Sequence, residues 1–185
     1  MKVRKIVTAE GSGGVATKIE AIDTDEIKNL RNIWGFDQIP DLPLSAQQTL
    51  GEYKKMGIFG PTDSFRVHLI VAKPEPQWGP AWLRRLRRLV TAIATALTMD
   101  FGTKAGLVAG KEGDGMHRTN TIDLIVVIDG EMSIAYPAGG GKLQEITIKA
   151  GDFIVHNGTF HTWHNRTTKD CVMLFVVIGA HREPS

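Results

Sequence analysis

The sequence has little that points to a membrane, a nucleic acid or an oxidising compartment. Its single cysteine, Cys171, cannot form a disulfide within the chain, and its apolar neighbours indicate a packing residue on a strand. Lys and Arg number 22 against 20 Asp and Glu, and the net charge of +2 is too small for a nucleic-acid-binding protein. The longest hydrophobic stretch, residues 89–101, is shorter than a bilayer span, and no apolar signal segment follows residues 1–6. We therefore expect a cytoplasmic protein.

Glycine and proline are abundant instead. The 20 glycines and 8 prolines in 185 residues favour short strands joined by tight turns, and the length suits one domain. In the C-terminal half, β-branched runs alternate with turn-forming residues. They predict strands at residues 122–128, 131–136, 142–149, 153–155, 161–165 and 172–178. Strands at such close spacing are typical of a β-sandwich or barrel.

The N-terminal part is less regular. We expect residues 1–64 to form strands and an arm that pack on a barrel of residues 65–185. Strands are predicted at residues 2–8, 17–22 and 65–71, whereas the prolines and polar runs of residues 35–63 predict a long loop.

One helix is predicted within the barrel segment, at about residues 80–102. Its apolar side chains recur at helical spacing, and Pro80 suits a first helical turn. The segment Arg84–Arg88 contains four arginines, which would suit a helix that binds a membrane surface or an anion. An apolar stripe that packs on the protein with its arginines in water is the simpler interpretation, so we do not expect membrane contact through Arg84–Arg88.

Two stretches of the C-terminal half carry side chains suited to chemistry. Period-2 geometry places His117, Thr119 and Asp123 on one face of a strand, and it places His161 and Trp163 on one face of another. If the two strands pair with these faces inward, two imidazoles and a carboxylate converge. Such a set suits a divalent metal such as Fe, Mn, Ni or Zn, although spacing alone does not show that the strands pair.

The stretch from Gly115 to Ile178 resembles a cupin domain of the single-domain type 2 (conserved barrel) group. In the first cupin motif, G-x5-H-x-H-x3-E-x6-G, His117 matches the first histidine and Gly130 the closing glycine. The second motif is matched by Gly151, Asp152, Gly158, His161 and Asn165. The resemblance implies an all-β double-stranded β-helix, the cupin jelly-roll barrel, here with an N-terminal arm and one inserted helix.

The chain departs from the cupin metal pattern in two places. Thr119 stands where the second histidine is usual and Asp123 replaces the glutamate, which leaves His117, Asp123 and His161 as the implied metal ligands. An aspartate carboxylate ends about 1 to 1.5 Å short of a glutamate's. The site therefore either holds one divalent metal with several exchangeable positions, or works without metal. In the second alternative the same three residues serve as acid, base and hydrogen-bond donors.

The resemblance also implies a pocket inside the barrel, with His117, Asp123 and His161 as the catalytic residues. The substrate-binding walls are expected from Thr119, Trp163, Ile125, Val127 and Phe153, together with Val176. We expect an enzyme of secondary metabolism that decarboxylates, isomerises, cyclises or oxygenates an organic acid or polyketide-like substrate. The alternative is a cupin that binds a small ligand without turnover.

The partner expected besides a small molecule is a second copy of the chain, because cupins commonly pair through strand edges. The other histidines are expected to be surface residues or residues with satisfied hydrogen bonds; they are His68, His156, His164 and His181.

Overall fold

The computed structural model describes residues 1–11, 14–42, 44, 56–76, 108–109 and 115–183. The helix expected at residues 80–102, with Arg84–Arg88, lies outside these residues. In the described part there is one short 3-10 helix, Thr24–Glu26, and no helix long and apolar enough to cross a bilayer. The strands are β1 (Lys2–Gly11), β2 (Gly14–Asp23), β3 (Leu30–Phe36), β4 (Phe65–Ala72), β5 (Val108–Ala109), β6 (His117–Arg118), β7 (Thr121–Asp129), β8 (Glu131–Gly139), β9 (Lys142–Lys149), β10 (Phe153–His156), β11 (Thr162–His164) and β12 (Cys171–Gly179).

Two antiparallel sheets form the body of the protein. The larger has the strand order β10-β7-β12-β4-β3, and the smaller has the order β11-β8-β9. The chain passes from one sheet to the other between β7 and β8, between β9 and β10, and at each of the next two connections. Repeated crossing between two facing sheets is the topology of a jelly roll, so the all-β double-stranded β-helix predicted from the sequence is confirmed.

The core lies between the two sheets. Its buried side chains come from both of them, for example Ile125 of β7 and Phe175 of β12 from the larger sheet, and Ile134 of β8 and Ile148 of β9 from the smaller. Along β7 the odd-numbered residues 121–127 are buried and the even-numbered ones are more exposed, as period-2 geometry requires. The inner face of β7 therefore runs from polar residues at its start into the apolar core.

The outer face of the larger sheet carries a second, smaller cluster. Ile22 at the end of the β1–β2 hairpin is buried there with Leu69, Val71 and Val172. β3 is hydrogen-bonded to β4 at the edge of the same sheet. Residues 1–64 thus contribute both a hairpin that lies over the sheet and one strand of the sheet itself, the latter not predicted from the sequence.

Candidate functional site

A backbone bridge brings His117 and His161 together. The His117 amide donates to the His161 carbonyl at 3.0 Å, and the His161 amide donates to the His117 carbonyl at 2.9 Å. Their ring centroids lie 4.4 Å apart. The pairing of the two polar strands, which spacing alone did not show, is therefore present, and it places the two predicted imidazoles side by side.

Each of these imidazoles is held in one tautomer by a backbone carbonyl. Nδ1 of His117 lies 2.8 Å from the Gly115 carbonyl, and Nδ1 of His161 lies 2.9 Å from the Thr159 carbonyl. Because a carbonyl only accepts, both Nδ1 atoms carry the proton and donate it. The Nε2 atom of each neutral ring then carries a lone pair that can accept a hydrogen bond from a ligand.

A third imidazole, His156, belongs to the same group and was not predicted there. Its ring centroid lies 4.1 Å from that of His161, in an edge-to-face arrangement. His156 is buried, and its Nε2 has no hydrogen-bond partner within the described part of the chain. The expectation of a surface or satisfied histidine was wrong for His156, because β10 turns the opposite face to the core from the one assumed.

Asp123 occupies the position on β7 directly opposite His156 on β10, and both residues are buried. Directly opposed residues of an antiparallel pair have Cβ atoms about 4.5–5.5 Å apart, so the Asp123 side chain lies beside that of His156. Burial raises the pKa of Asp123 from its ordinary 3.8 to about 6, and a hydrogen bond from Thr121 opposes the rise. Oδ1 of Asp123 has no hydrogen-bond partner among the described residues.

The pKa values of the imidazoles are lowered, which favours their neutral form. The pKa of His161 is lowered to about 3, mainly by burial and also by the nearby rings of His117 and His156. Burial is also the main cause of the lowered pKa values of His117 and His156. At neutral pH the group therefore consists of uncharged imidazoles and one carboxyl poised between its two states.

Some of the residues expected to line the pocket lie on the inner faces of their strands. Ile125 and Val127 are fully buried in the core directly beyond Asp123. Trp163 packs on that core and meets the His161 ring edge-to-face, with centroids 5.5 Å apart. The Thr119 hydroxyl is buried and shares a 2.7 Å hydrogen bond with the Thr121 hydroxyl. Thr119 thus joins the site through Thr121, which itself bonds Asp123.

Two expected wall residues are not in the interior. Phe153 is 61% exposed on the outer face of β10, whereas Ile154 packs on the core. Val176 of β12 likewise lies on the opposite face from the buried Phe175 and Val177. Since successive side chains of a strand point to opposite faces, an error of one residue in the register exchanges wall for surface. The assignments of Phe153 and Val176 were wrong for this reason.

The side chains present fit only part of a cupin-type metal centre. The free Nε2 atoms of neutral His117 and His161 are in the form that binds divalent metals. Across the described ranges, however, no three His, Cys, Asp or Glu side chains come together in a metal-binding arrangement. The divalent metal expected at His117, Asp123 and His161 is therefore not confirmed and stays a prediction.

The remaining histidines have the surroundings expected for them. His68 is fully buried, with Nδ1 2.8 Å from Asn32 Oδ1 and Nε2 2.9 Å from the Ile58 carbonyl. His164 is paired with Glu75 at 2.8 Å, and His181 is exposed. Of the four histidines expected outside the site, only His156 lies within it. Its sequence signal was weak, because Phe153, Ile154 and Val155 are all apolar and show no alternation.

Comparison with known proteins places the chain near proteins of biosynthetic gene clusters. No family model matches the chain. Phomopsin biosynthesis cluster proteins C′ and D of Diaporthe leptostromiformis are each 41% identical to it over 66 residues, 35% of this chain and 33% of theirs. Oryzines biosynthesis cluster protein J of Aspergillus oryzae is 37% identical over 65 residues, 35% of this chain and 34% of its own length. The matches thus span about a third of each relative.

Solved structures similar to this chain include cupin proteins at low sequence identity. A cupin 2 conserved barrel domain protein from Salinispora arenicola has a TM-score of 0.41 and 13% identity, covering 88% of this chain and 89% of its own. A putative ethanolamine utilization protein from Salmonella typhimurium has a TM-score of 0.39 and 12% identity, covering 98% and 99%. These similarities concern the fold, which the strand order of this chain shows by itself.

Proposed function

We propose that this all-β protein, with the double-stranded β-helix fold of cupins, is an enzyme that moves protons on a small enolisable organic acid or polyketide-like substrate. The site consists of the buried His156, His161 and Asp123 together with the half-buried His117. Isomerisation, cyclisation and decarboxylation are the reaction types that this group serves. The relatives named for phomopsin and oryzine biosynthesis clusters support a place in secondary metabolism.

The single observation that carries the proposal is the burial of Asp123 opposite His156, with its Oδ1 free of hydrogen-bond partners among the described residues. Catalytic proton transfer is most effective when the pKa of the acid or base lies near the working pH. Burial brings the pKa of this carboxyl to about 6, so both its ionised and its neutral form are populated near neutral pH. No ion pair of Asp123 is found in the described part of the chain, so no cation there keeps the carboxyl ionised.

The minimal reaction is an isomerisation in which the enzyme returns to its starting state. The Asp123 carboxylate takes a proton from a carbon beside a carbonyl group, and the electron pair of that C–H bond forms the enolate. Neutral Asp123 then returns the proton to a second carbon of the same conjugated system. The substrate is isomerised, and no proton is gained or lost overall.

The imidazoles bind and orient the substrate in this proposal. With Nδ1 donating to a backbone carbonyl, Nε2 of His117 and of His161 accepts hydrogen bonds from hydroxyl groups of the substrate. Both rings stay uncharged at neutral pH because burial lowers their pKa values. Their role is therefore to hold the substrate rather than to supply positive charge.

The test is proton exchange with solvent, followed by proton NMR in deuterium oxide. Acetylacetone and acetoacetate serve as enolisable probes, with wild type, Asp123→Asn, His161→Ala and the surface control Asp41→Asn. We expect wild type and the control to accelerate exchange or decarboxylation, and the two site variants to lose at least about tenfold of the acceleration. Each assay is run with chelator and with added Fe, Mn, Ni or Zn, which also tests the predicted metal.

Equal rates for wild type, Asp123→Asn and buffer under every condition would refute the enzyme proposal. Binding of the probes to wild type without exchange would support the alternative of a ligand-binding cupin. Metal retained by wild type on equilibrium dialysis, and lost by His161→Ala, would support the metal ligands; equal retention would count against them.

The second copy of the chain remains the protein partner that we propose. Phe153 and Val155, exposed by 61% and 55%, form an apolar outer face on β10, which among the described strands lies at the edge of the larger sheet. Edge strands with apolar side chains are common sites of pairing between chains. Light scattering should give twice the chain mass for wild type and less for Phe153→Ser. A wild-type mass of 20.3 kDa would refute the dimer.

A further inference from the structure

We propose that Arg182 is a positioning residue that holds together two turns, one that directly follows His117 and one that contains His161. The role rests on the proposed function only in that the imidazoles are taken as the working groups. One of these turns, residues 118–121, joins β6 to β7. The other, residues 157–161, joins β10 to β11.

The Arg182 guanidinium bonds both turns at once. Its Nε donates to Asn120 Oδ1 at 2.8 Å, and its Nη2 donates to the Thr119 carbonyl at 2.9 Å. The same Nη2 also donates to the Gly158 carbonyl at 2.7 Å. One cationic side chain therefore links two backbone carbonyls from different connections, and hydrogen bonds from a charged donor are the stronger kind.

Gly158 lets the turns approach closely enough for this link. Its φ is +57°, in the left-handed region that favours glycine. A Cβ placed on it would lie 2.6 Å from Arg182 Nη2, 2.7 Å from the Thr119 carbonyl oxygen and 2.9 Å from that of Thr121. Any side chain at this position would therefore push apart the three segments that meet there.

Both turns lead directly to the imidazoles. The Thr119 carbonyl is two residues from His117, on the side that continues to Thr121 and Asp123. The Gly158 carbonyl is adjacent to Thr159, whose own carbonyl accepts the Nδ1–H of His161. A shift of either turn would alter the separation of the His117 and His161 rings or the bond that sets the tautomer of His161.

Attachment of the last strand does not require Arg182. The Gly179 amide donates to the Ser64 carbonyl, and the Ala180 amide donates to the Asn120 carbonyl, so the backbone is already fixed up to residue 180. What Arg182 adds is the bond to the Gly158 carbonyl, which no backbone amide of the β12 end supplies in the described structure. Its contribution is therefore expected at the site more than in the stability of β12.

The experiment compares wild type with Arg182→Ala, Arg182→Lys and the matched control Arg31→Ala, an arginine paired with Glu20. The measurement is the imidazole region of proton–nitrogen NMR spectra, without ligand and in chelator. In wild type the Nδ1–H protons of His117 and His161 should give slowly exchanging signals. In Arg182→Ala the Nδ1–H proton of His161 should exchange about tenfold faster, or its signal should disappear. Arg182→Lys should keep part of the wild-type protection, and Arg31→Ala should keep all of it.

The proposal would be overturned if the His161 Nδ1–H proton of Arg182→Ala exchanged at the same rate as in wild type. If Arg182→Ala fails to fold, Gly158→Ala in a background with intact Arg182 should show the same loss of protection, and an unchanged signal there would also overturn it. In the double variant the two effects should combine to less than their sum, because each alone already opens the link. Failure of the proton-exchange assay for every protein would leave this spectroscopic result standing, so the two proposals are tested separately.

Discussion

Replacing Asp123 by asparagine should remove the proton-transfer group and, at high pH, make the fold more stable. In the unfolded chain this carboxyl ionises near 3.8, whereas burial raises its pKa in the folded protein to about 6. Between these values, as pH rises, the unfolded chain gives up a proton that the folded protein still holds. Stability therefore falls with rising pH across this window and stays lower above it.

The magnitude follows from the same two values. One pKa unit corresponds to about 1.36 kcal/mol, so the ionised Asp123 lowers the free energy of unfolding by about 3 kcal/mol above pH 6. Asparagine does not ionise and has nearly the same shape, so it avoids this cost. Any loss of the Thr121 hydrogen bond would reduce the gain, and the figure is therefore an upper estimate.

The assay is urea unfolding followed by tryptophan fluorescence at pH 4, 6 and 8, in buffer that contains a chelator. The difference between Asp123→Asn and wild type should grow from near zero at pH 4 to about 3 kcal/mol at pH 8. Asp41→Asn, an exposed control, should differ little from wild type at any pH. A difference for Asp123→Asn that does not change with pH would refute the reasoning, because only ionisation of a buried carboxyl makes it pH-dependent.

Three further predictions concern the packing and the other buried groups. Burial lowers the pKa of His68 from 6.5 to about 4. Lowering the pH from 6.5 to 4 should therefore reduce the free energy of unfolding by about 3 kcal/mol. In His68→Gln, urea unfolding should show a smaller change between these two pH values. Burial raises the pKa of the Cys171 thiol to about 11, so a thiol reagent at pH 8 should label it only after denaturation, and rapid labelling of native protein would contradict its burial. Ile125→Ala should cost about 2–5 kcal/mol in urea unfolding, whereas Leu143→Ala, at a residue 49% exposed on β9, should cost less than about 1 kcal/mol. Similar costs would show that buried and exposed residues are wrongly assigned.

Most of the C-terminal fold was predictable because its strands are strongly β-branched and their turns carry glycine. The alternation along β7 placed Thr121 and Asp123 on the same side as Ile125, and burial follows that alternation. Local periodicity suffices there because the polar Thr121 and Asp123 alternate with the apolar Ile122 and Leu124, so the two faces of β7 differ in composition. It fails for β10, where Phe153, Ile154 and Val155 offer no contrast between the faces.

The amino-acid sequence by itself determined the all-β class and the choice of His117, His161 and Asp123, because residue type and period-2 spacing are local properties. Tertiary structure decided which face of each strand turns inward and which distant residues meet. The pairing of β10 with β7 sets His156 opposite Asp123 and exposes Phe153, and the end of β12 brings Arg182 to Gly158. Both depend on hydrogen bonds between segments far apart in the chain, and the spacing of residues within one segment carries no information about such bonds.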